Sequence, residues 1–374
     1  MHRRSLIAGL MATTLASPLA MPRLARAAGP IEITDIMGRK VRLAKPATRI
    51  ALTQARHVLA MGLIHPEPVS LVTGWGDDLR TMNPPDYAAV RNRFPAAEAV
   101  PVIARGRSGG LSIEALLAGA PELVIASLAS LGPYGGDLPD RLTAMGIPVV
   151  VIDFFVDPMA NTQRSMAILG QVMGREAEAR KFEEFYGGGR QLIAERLQGV
   201  TQRPRVFVHA HAGGTPCCSS PGRGAYSTMI SFAGGHNIGA DLLPTNTGDV
   251  SLEQVIATDP WLYVATGGPY GTRGGIPLGP GIAPEAAAEA LAGVIRRSKL
   301  DVLPAVKAGR AHAIWHGFND TPAHLIMLQA LARWCHPDRC GDLDPAATMA
   351  QLNERFLAIP MQGAHWADLP AGGL

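Results

Sequence analysis

Cysteine is scarce in this chain, with four in 374 residues, so a disulfide scaffold cannot hold the fold and apolar burial must. No apolar run after the first 27 residues approaches the roughly 20 residues that a membrane helix requires, which argues against membrane insertion. Charge of one sign is not in excess either. Lys+Arg number 34 against 31 Asp+Glu, and setting aside Arg3, Arg4, Arg23 and Arg26 of the leader leaves 30 against 31. The basic footprint of a nucleic-acid binder is therefore missing. The glycine-rich GGPYGTRGGIPLGPG is followed by no Gly-Lys-Ser/Thr, so it is not a phosphate-binding loop. No nucleophile or acid/base constellation is recognisable, which speaks against an enzyme.

The leader, residues 1–27, has paired arginines, a weakly apolar Ala/Thr/Gly-rich stretch and a small-residue exit at Ala25-Arg26-Ala27. It is read as an export signal, of the twin-arginine type, cut after Ala27. A soluble, monomeric periplasmic protein is expected. The remaining roughly 345 residues exceed the usual size of one domain, and two are expected.

Two stretches say nearly the same thing. LSIEALLAGAPELVIAS (Leu111 to Ser127) aligns without a gap onto VSLEQVIATDPWLYVAT (Val250 to Thr266) at a constant offset of 139 residues. In each, a serine stands at an N-cap position and a glutamate two residues on falls in the first turn, where it suits the helix dipole. A proline then breaks the helix, and an apolar run reads as a buried strand. The same alternation recurs along both halves, so the fold class is α/β with largely parallel strands, and ligands are expected at the strands' carboxyl ends. Between the halves, residues 157–199 have no proline after Pro158 and apolar residues at helical spacing. They predict a stiff connector, a long helix or a helix pair, that breaks, if anywhere, at Gly187 to Gly189.

The opening ITDIMGRKVRLAKPATRIAL, the middle LGQVMGREAEARKFEEFY, and FAGGHNIGADLL, VSLEQVIATDPWLYVATGG, AVKAGRAHAI and TPAHLIMLQALARWCHPD in that order resemble the periplasmic binding proteins of ABC importers for ferric siderophores, haem and vitamin B12. The resemblance spans essentially the whole exported chain. It implies two doubly wound lobes with mostly parallel sheets, residues 28–156 and 200–374, joined by a long rigid α-helix. It also implies a ligand held between the lobes, no catalysis, no resident cofactor, and an inner-membrane ABC permease with its ATPase as partner. In the vitamin B12 member, a glutamate on each lobe docks onto permease arginines, and the matching residues here are Glu114 and Glu253.

Loops after strands are rich in glycine, arginine and aromatics. Arg105, Arg107, Arg223 and Arg273 offer forked donors to an anionic chelate, and Trp75, Tyr134, Tyr226, Tyr270 and Trp315 offer apolar or stacking walls, with Phe318 nearby. His209 and His211 at i and i+2 are expected on one side of an extended chain; His316, followed by Asn319 and Asp320, is a third imidazole candidate. Cys335 and Cys340 are expected to form a small disulfide in an oxidising compartment. Adjacent Cys217 and Cys218 are left as a vicinal disulfide, two thiols or soft metal ligands. The expected cargo is a ferric chelate of the siderophore class. The alternatives are haem with Tyr134, His209 or His316 as axial ligand, cobalamin, bare metal held by His209, His211, Cys217 and Cys218, or a metal-dependent hydrolase built on His209 and His211.

Overall fold

Runs such as LVIAS and VVVI have no polar alternation, and a strand of that kind is stable only where both of its faces are covered. The computed structural model, which describes residues 29–106, 110–134, 136–215, 217–269 and 275–370, covers them with helices on both sides. In the first lobe β1 (Ile31–Thr34) and β2 (Lys40–Leu43) form an antiparallel hairpin. There follow β3 (Ile50–Leu52), β4 (Val72–Gly76), β5 (Val102–Ala104), β6 (Leu123–Ser127) and β7 (Val149–Ile152). These five make one all-parallel sheet in the order β5-β4-β3-β6-β7. In the second lobe come β8 (Arg205–His209), β9 (Ser219–Pro221), β10 (His236–Asn237), β11 (Thr247–Asp249), β12 (Leu262–Gly267), β13 (Ala311–Trp315) and β14 (Trp366–Asp368). Its main sheet runs β10-β8-β12-β13-β14, parallel except for the antiparallel edge strand β14. Strands β9 and β11 pair separately.

The two sheets correspond. Strand β6 lies between β3 and β7, as β12 lies between β8 and β13, and β6 and β12 are the strands of the sequence repeat. The period of two along each strand sorts the first lobe's core. Ala51, Val124, Ala126, Val149 and Val151 face an outer cluster with Leu116 and Leu142. Ile50, Leu52, Leu123, Ile125, Val150 and Ile152 face inward, into a cluster that continues through Leu169, Phe182 and Tyr186 of the connector to Phe207, Val264 and Leu328 of the second lobe. One apolar core thus runs through both lobes.

The connector is two packed helices, Pro158–Met173 and Glu176–Arg196, the second of them the long helix that joins the lobes. The chain reverses at Gly174, whose left-handed φ of 65° closes the first helix at no Cβ cost. Gly187 to Gly189 do not break the second helix, because tertiary packing uses them. A Cβ on Gly189 would lie 2.6 Å from Leu325, so glycine here lets the connector approach the Leu325–Cys335 helix. The second connector helix, about 30 Å long at 1.5 Å per residue, starts beside Pro46 of the first lobe, against Gly174, and ends at Leu197 beside Gly234 of the second. The turn into the connector is held by Asp153, which accepts from the backbone N–H of Phe155, Val156 and Asp157 and from Asn161 Nδ2 at 2.7–2.9 Å.

Cys335 and Cys340 correct a second expectation, since both are free and buried. Cys335 packs among Ile230, Val206 and Gly235, and burial raises its thiol pKa to about 12. Each sulfur serves as a small apolar filler.

Opposite outcomes are expected at two adjacent positions of one helix. Gly189→Val should lower stability by about 1–3 kcal/mol through overpacking, whereas Gly188→Ala, with nothing within 4 Å of its added Cβ, should raise it by roughly 0.5–1 kcal/mol. Thermal melts of the two variants check this, and equal shifts would refute the packing role of Gly189.

Candidate functional site

The carboxyl ends of β3 in the first lobe and β13 in the second meet at a charged contact that the sequence reading missed. Arg56, in the loop after β3, donates from Nε to Asp78 Oδ2 at 2.7 Å within its own lobe. Its Nη1 donates to Asp320, in the short 3-10 segment after β13. Asp78 is itself held by the Ala55 N–H at 2.6 Å. Burial works against the guanidinium's charge, but Asp320 and Asp78 outweigh it and hold the Arg56 pKa above normal. Burial raises the Asp320 pKa, and Arg56 offsets part of that. Arg56 meets the same criterion as Arg105, an arginine in a loop after a strand.

Four residues before Asp320 lies His316. Its ring sits 3.9 Å from that of His211, centroid to centroid. The two come from the ends of β13 and β8, and Thr266 near the end of β12 ties them together. Thr266 Oγ1 accepts from the His211 N–H at 2.9 Å and lies 3.0 Å from His316 Nδ1. The Tyr226 hydroxyl is 3.5 Å from the same nitrogen, and burial raises the phenol's pKa. Behind the segment, Tyr186 of the connector donates to His324 Nε2 at 2.5 Å while His324 Nδ1 donates to the Thr321 carbonyl at 2.8 Å. The connector thus buttresses the segment carrying His316 and Asp320.

His209 and His211 do not share a face as expected. Strand β8 ends at His209, and His211 lies in a turn with φ 50°. His209 is fully buried, stacked on Phe207 and 3.1 Å from the Tyr263 hydroxyl; burial lowers its pKa to about 4. It is a core residue. The quartet imagined for bare metal is not assembled, because Cys217 and Cys218 are bonded to each other and His209 is enclosed. Among the described residues no three His, Cys, Asp or Glu side chains are grouped to hold a metal ion. The same facts remove the hydrolase pair.

Trp75 also belongs to the core, 2% exposed, with its ring edge-on to Tyr87. Trp315 is 6% exposed and wedged against Phe318 and His365. A Cβ on Gly268 would come within 2.7 Å of its ring, so glycine there admits the indole. Arg105 is exposed at the end of β5, and Arg223 is exposed with its Nε bonded to the Ala240 carbonyl at 3.2 Å. Arg107, Tyr270 and Arg273, and the side chain of Tyr134, lie outside the described residues. Glu114 and Glu253 are both exposed in the first turns of the Ile113–Ala118 and Leu252–Thr258 helices.

Beside the charged contact, a cavity of about 50 Å³ is walled by Leu59, Leu63 and Ala89 of the first lobe and Trp315, Ile359 and Met361 of the second. Two titratable groups face it, Asp86 and His365. Burial raises the Asp86 pKa to about 7 and lowers that of His365 to about 4.

Against this geometry, comparison with known proteins is decisive on one point. The sequence profile of the family described as periplasmic binding protein matches residues 64–313. The chain belongs to that family. This binding protein is also similar in structure to the TroA-like periplasmic binding protein FepB of Veillonella parvula, with a TM-score of 0.84, 20% identity, and coverage of 91% of this chain and 100% of that one. Molybdate-bound MolA of Haemophilus influenzae matches with a TM-score of 0.63 and 17% identity over 87% and 97% of the two chains. A periplasmic haem-binding protein of Pseudomonas aeruginosa matches with 0.53 and 16% over 87% and 98%. At these identities the structural likeness speaks for the fold alone. No curated protein sequence matches. Family and fold are those of non-enzymatic solute-binding components of transport, and among the described residues no helix is long and apolar enough to cross a membrane.

Two measurements test the binding protein's electrostatics. Arg56→Ala strands two partly buried carboxylates and should cost up to about 3–5 kcal/mol in urea unfolding at pH 7; a variant as stable as the wild type would refute the contact. Asp86, with its folded pKa raised, contributes stability that is complete below about pH 4 and lost as pH rises through about 7. Asp86→Asn should therefore gain on the wild type across that window, by on the order of 1–4 kcal/mol. A pH-independent difference would remove Asp86 from the cavity.

Proposed function

We propose that this binding protein captures a metal chelate of the ferric siderophore class between its lobes, in the periplasm, and delivers it to an inner-membrane ABC permease powered by an ATPase. The observation that carries the reading is the His211–His316 pair at the carboxyl ends of β8 and β13. A histidine that ligates through Nε2 works best with its Nδ1 held, and Thr266 Oγ1 lies within hydrogen-bond distance of His316 Nδ1. Two imidazoles with a phenol beside them are too few to retain a bare ion without further ligands, but they suit a metal whose chelator supplies the rest. The Arg56 cation, being spent on Asp78 and Asp320, leaves anion recognition to exposed arginines such as Arg105 and Arg223.

Haem is the second reading, favoured by the close imidazole pair, since histidine is a common axial ligand. The permease reading is supported by MolA, the cognate molybdate binding protein of a Haemophilus influenzae ABC transporter. The docking role of Glu114 and Glu253 is supported by their exposure on corresponding helices. The leader, which lies outside the described residues, is read as the signal that exports the chain.

Tryptophan-fluorescence titration against ferric catecholate, ferric hydroxamate and ferric citrate complexes, haem, cobalamin, zinc and copper should show saturable binding of one iron chelate. His211→Ala and His316→Ala should each weaken it by about tenfold or more, the loss expected for a bond to a charged centre. Tight binding of haem alone would select the second reading, and tight binding of a bare metal would overturn both.

A further inference from the structure

The 139-residue repeat is a repeat in three dimensions as well as in sequence. Ser112 and Ser251 cap their helices alike, each side chain accepting from the backbone N–H three residues on at 3.2 Å, with Gln254 closing a full capping box on the second. Leu116 and Val255 point into the cores at 1% and 0% exposure. Ala120 and Asp259 take up left-handed φ values of 42° and 45° before the two prolines. Within this shared frame the next positions, Leu117 and Ile256, are exposed by 45% and 46%. Each stands three residues after the exposed glutamate of its helix, and residues at that spacing are neighbours on the helix surface.

Exposed single aliphatics are ordinary, so the pairing carries the argument. Met37, Leu117, Met145, Phe155, Val156, Leu192, Ile256 and Val302 are the exposed large apolar side chains of the described residues; of these, only Leu117 and Ile256 map onto each other at the repeat offset. Each lobe therefore presents the same small patch, a carboxylate beside an aliphatic side chain, on corresponding helices that lead into corresponding strands. A surface present in two like copies fits a partner that is itself two-fold.

We infer that Leu117 and Ile256 are the apolar anchors of a two-point docking surface for the membrane permease, each seated in an apolar recess beside a cationic side chain that meets Glu114 or Glu253. The inference rests on the docking reading proposed above and adds to it where the binding energy lies. Exposed ion pairs contribute little and chiefly steer the encounter, whereas side chains that become fully desolvated at an interface carry most of its affinity. The carboxylates select the partner and its orientation, and the aliphatics hold it.

The test uses the mature chain with a photoreactive benzoylphenylalanine replacing Leu117, Ile256 or, as control, the exposed Met145, irradiated with inner-membrane vesicles of the source organism; labelled proteins are identified by mass spectrometry. Labelling of one multi-span transport permease, or of two homologous subunits, from both 117 and 256 but not from 145 is expected. In parallel, Leu117→Ser/Ile256→Ser should weaken competition for that labelling about tenfold or more with an unchanged melting temperature. Labelling from only one of the two positions, or a double variant that competes as well as the wild type, would overturn the inference. If Glu114→Lys/Glu253→Lys fails to compete while the serine variant competes normally, the docking reading stands and the apolar anchors fall; if both variants compete normally, both fall.

Discussion

The contact between Arg56 and Asp320 is the one on which the geometry between the lobes depends. It joins the loop after the first strand of one main sheet to the segment after β13 of the other. A partly buried ion pair gives little net stability, because desolvation consumes most of the Coulomb gain. What it contributes is placement, since a guanidinium held by two carboxylates has few orientations available. Asp320 is four residues from His316, and the same short segment is buttressed from behind by Tyr186 through His324. The imidazole pair is therefore positioned relative to both lobes at once.

A continuous apolar core does the rest. The inward face of the first sheet, the connector helices and the second lobe share one cluster, so separating the lobes would expose the apolar surface that stabilises them. On the proposed reading the site is formed before the ligand arrives, which keeps the entropic penalty of binding small. The correspondence of β3, β6 and β7 with β8, β12 and β13 explains why the site lies where it does. Parallel strands of two similar sheets face each other by their carboxyl ends, where loops carry side chains free of the ladder.

How far the molecule was legible depended on whether a residue's role was local. The α/β class, the repeat and the first-turn glutamates follow from caps, periodicity and prolines, which act over a few residues. The twin imidazoles were half legible. His211 and His316 were both candidates, but the partner assigned to His211 was its sequence neighbour His209, which instead is enclosed by Phe207 and Tyr263. Extended geometry did not persist for two more residues past the strand, and only the turn at His211 could show that.

The chain's own order of residues was enough to settle its layered α/β architecture and its two like halves, because hydrophobic period and backbone chemistry are properties of short stretches. Tertiary structure decided where long-range neighbours fall. Gly189 became a packing glycine because Leu325 lies against it, Cys335 became core filler because Ile230 and Val206 enclose it, and Arg56 became an interlobe tie because Asp320, 264 residues away, meets it. None of these pairings has a local signature, since each is created by the closing of one core around both lobes, and burial then assigns each side chain its task.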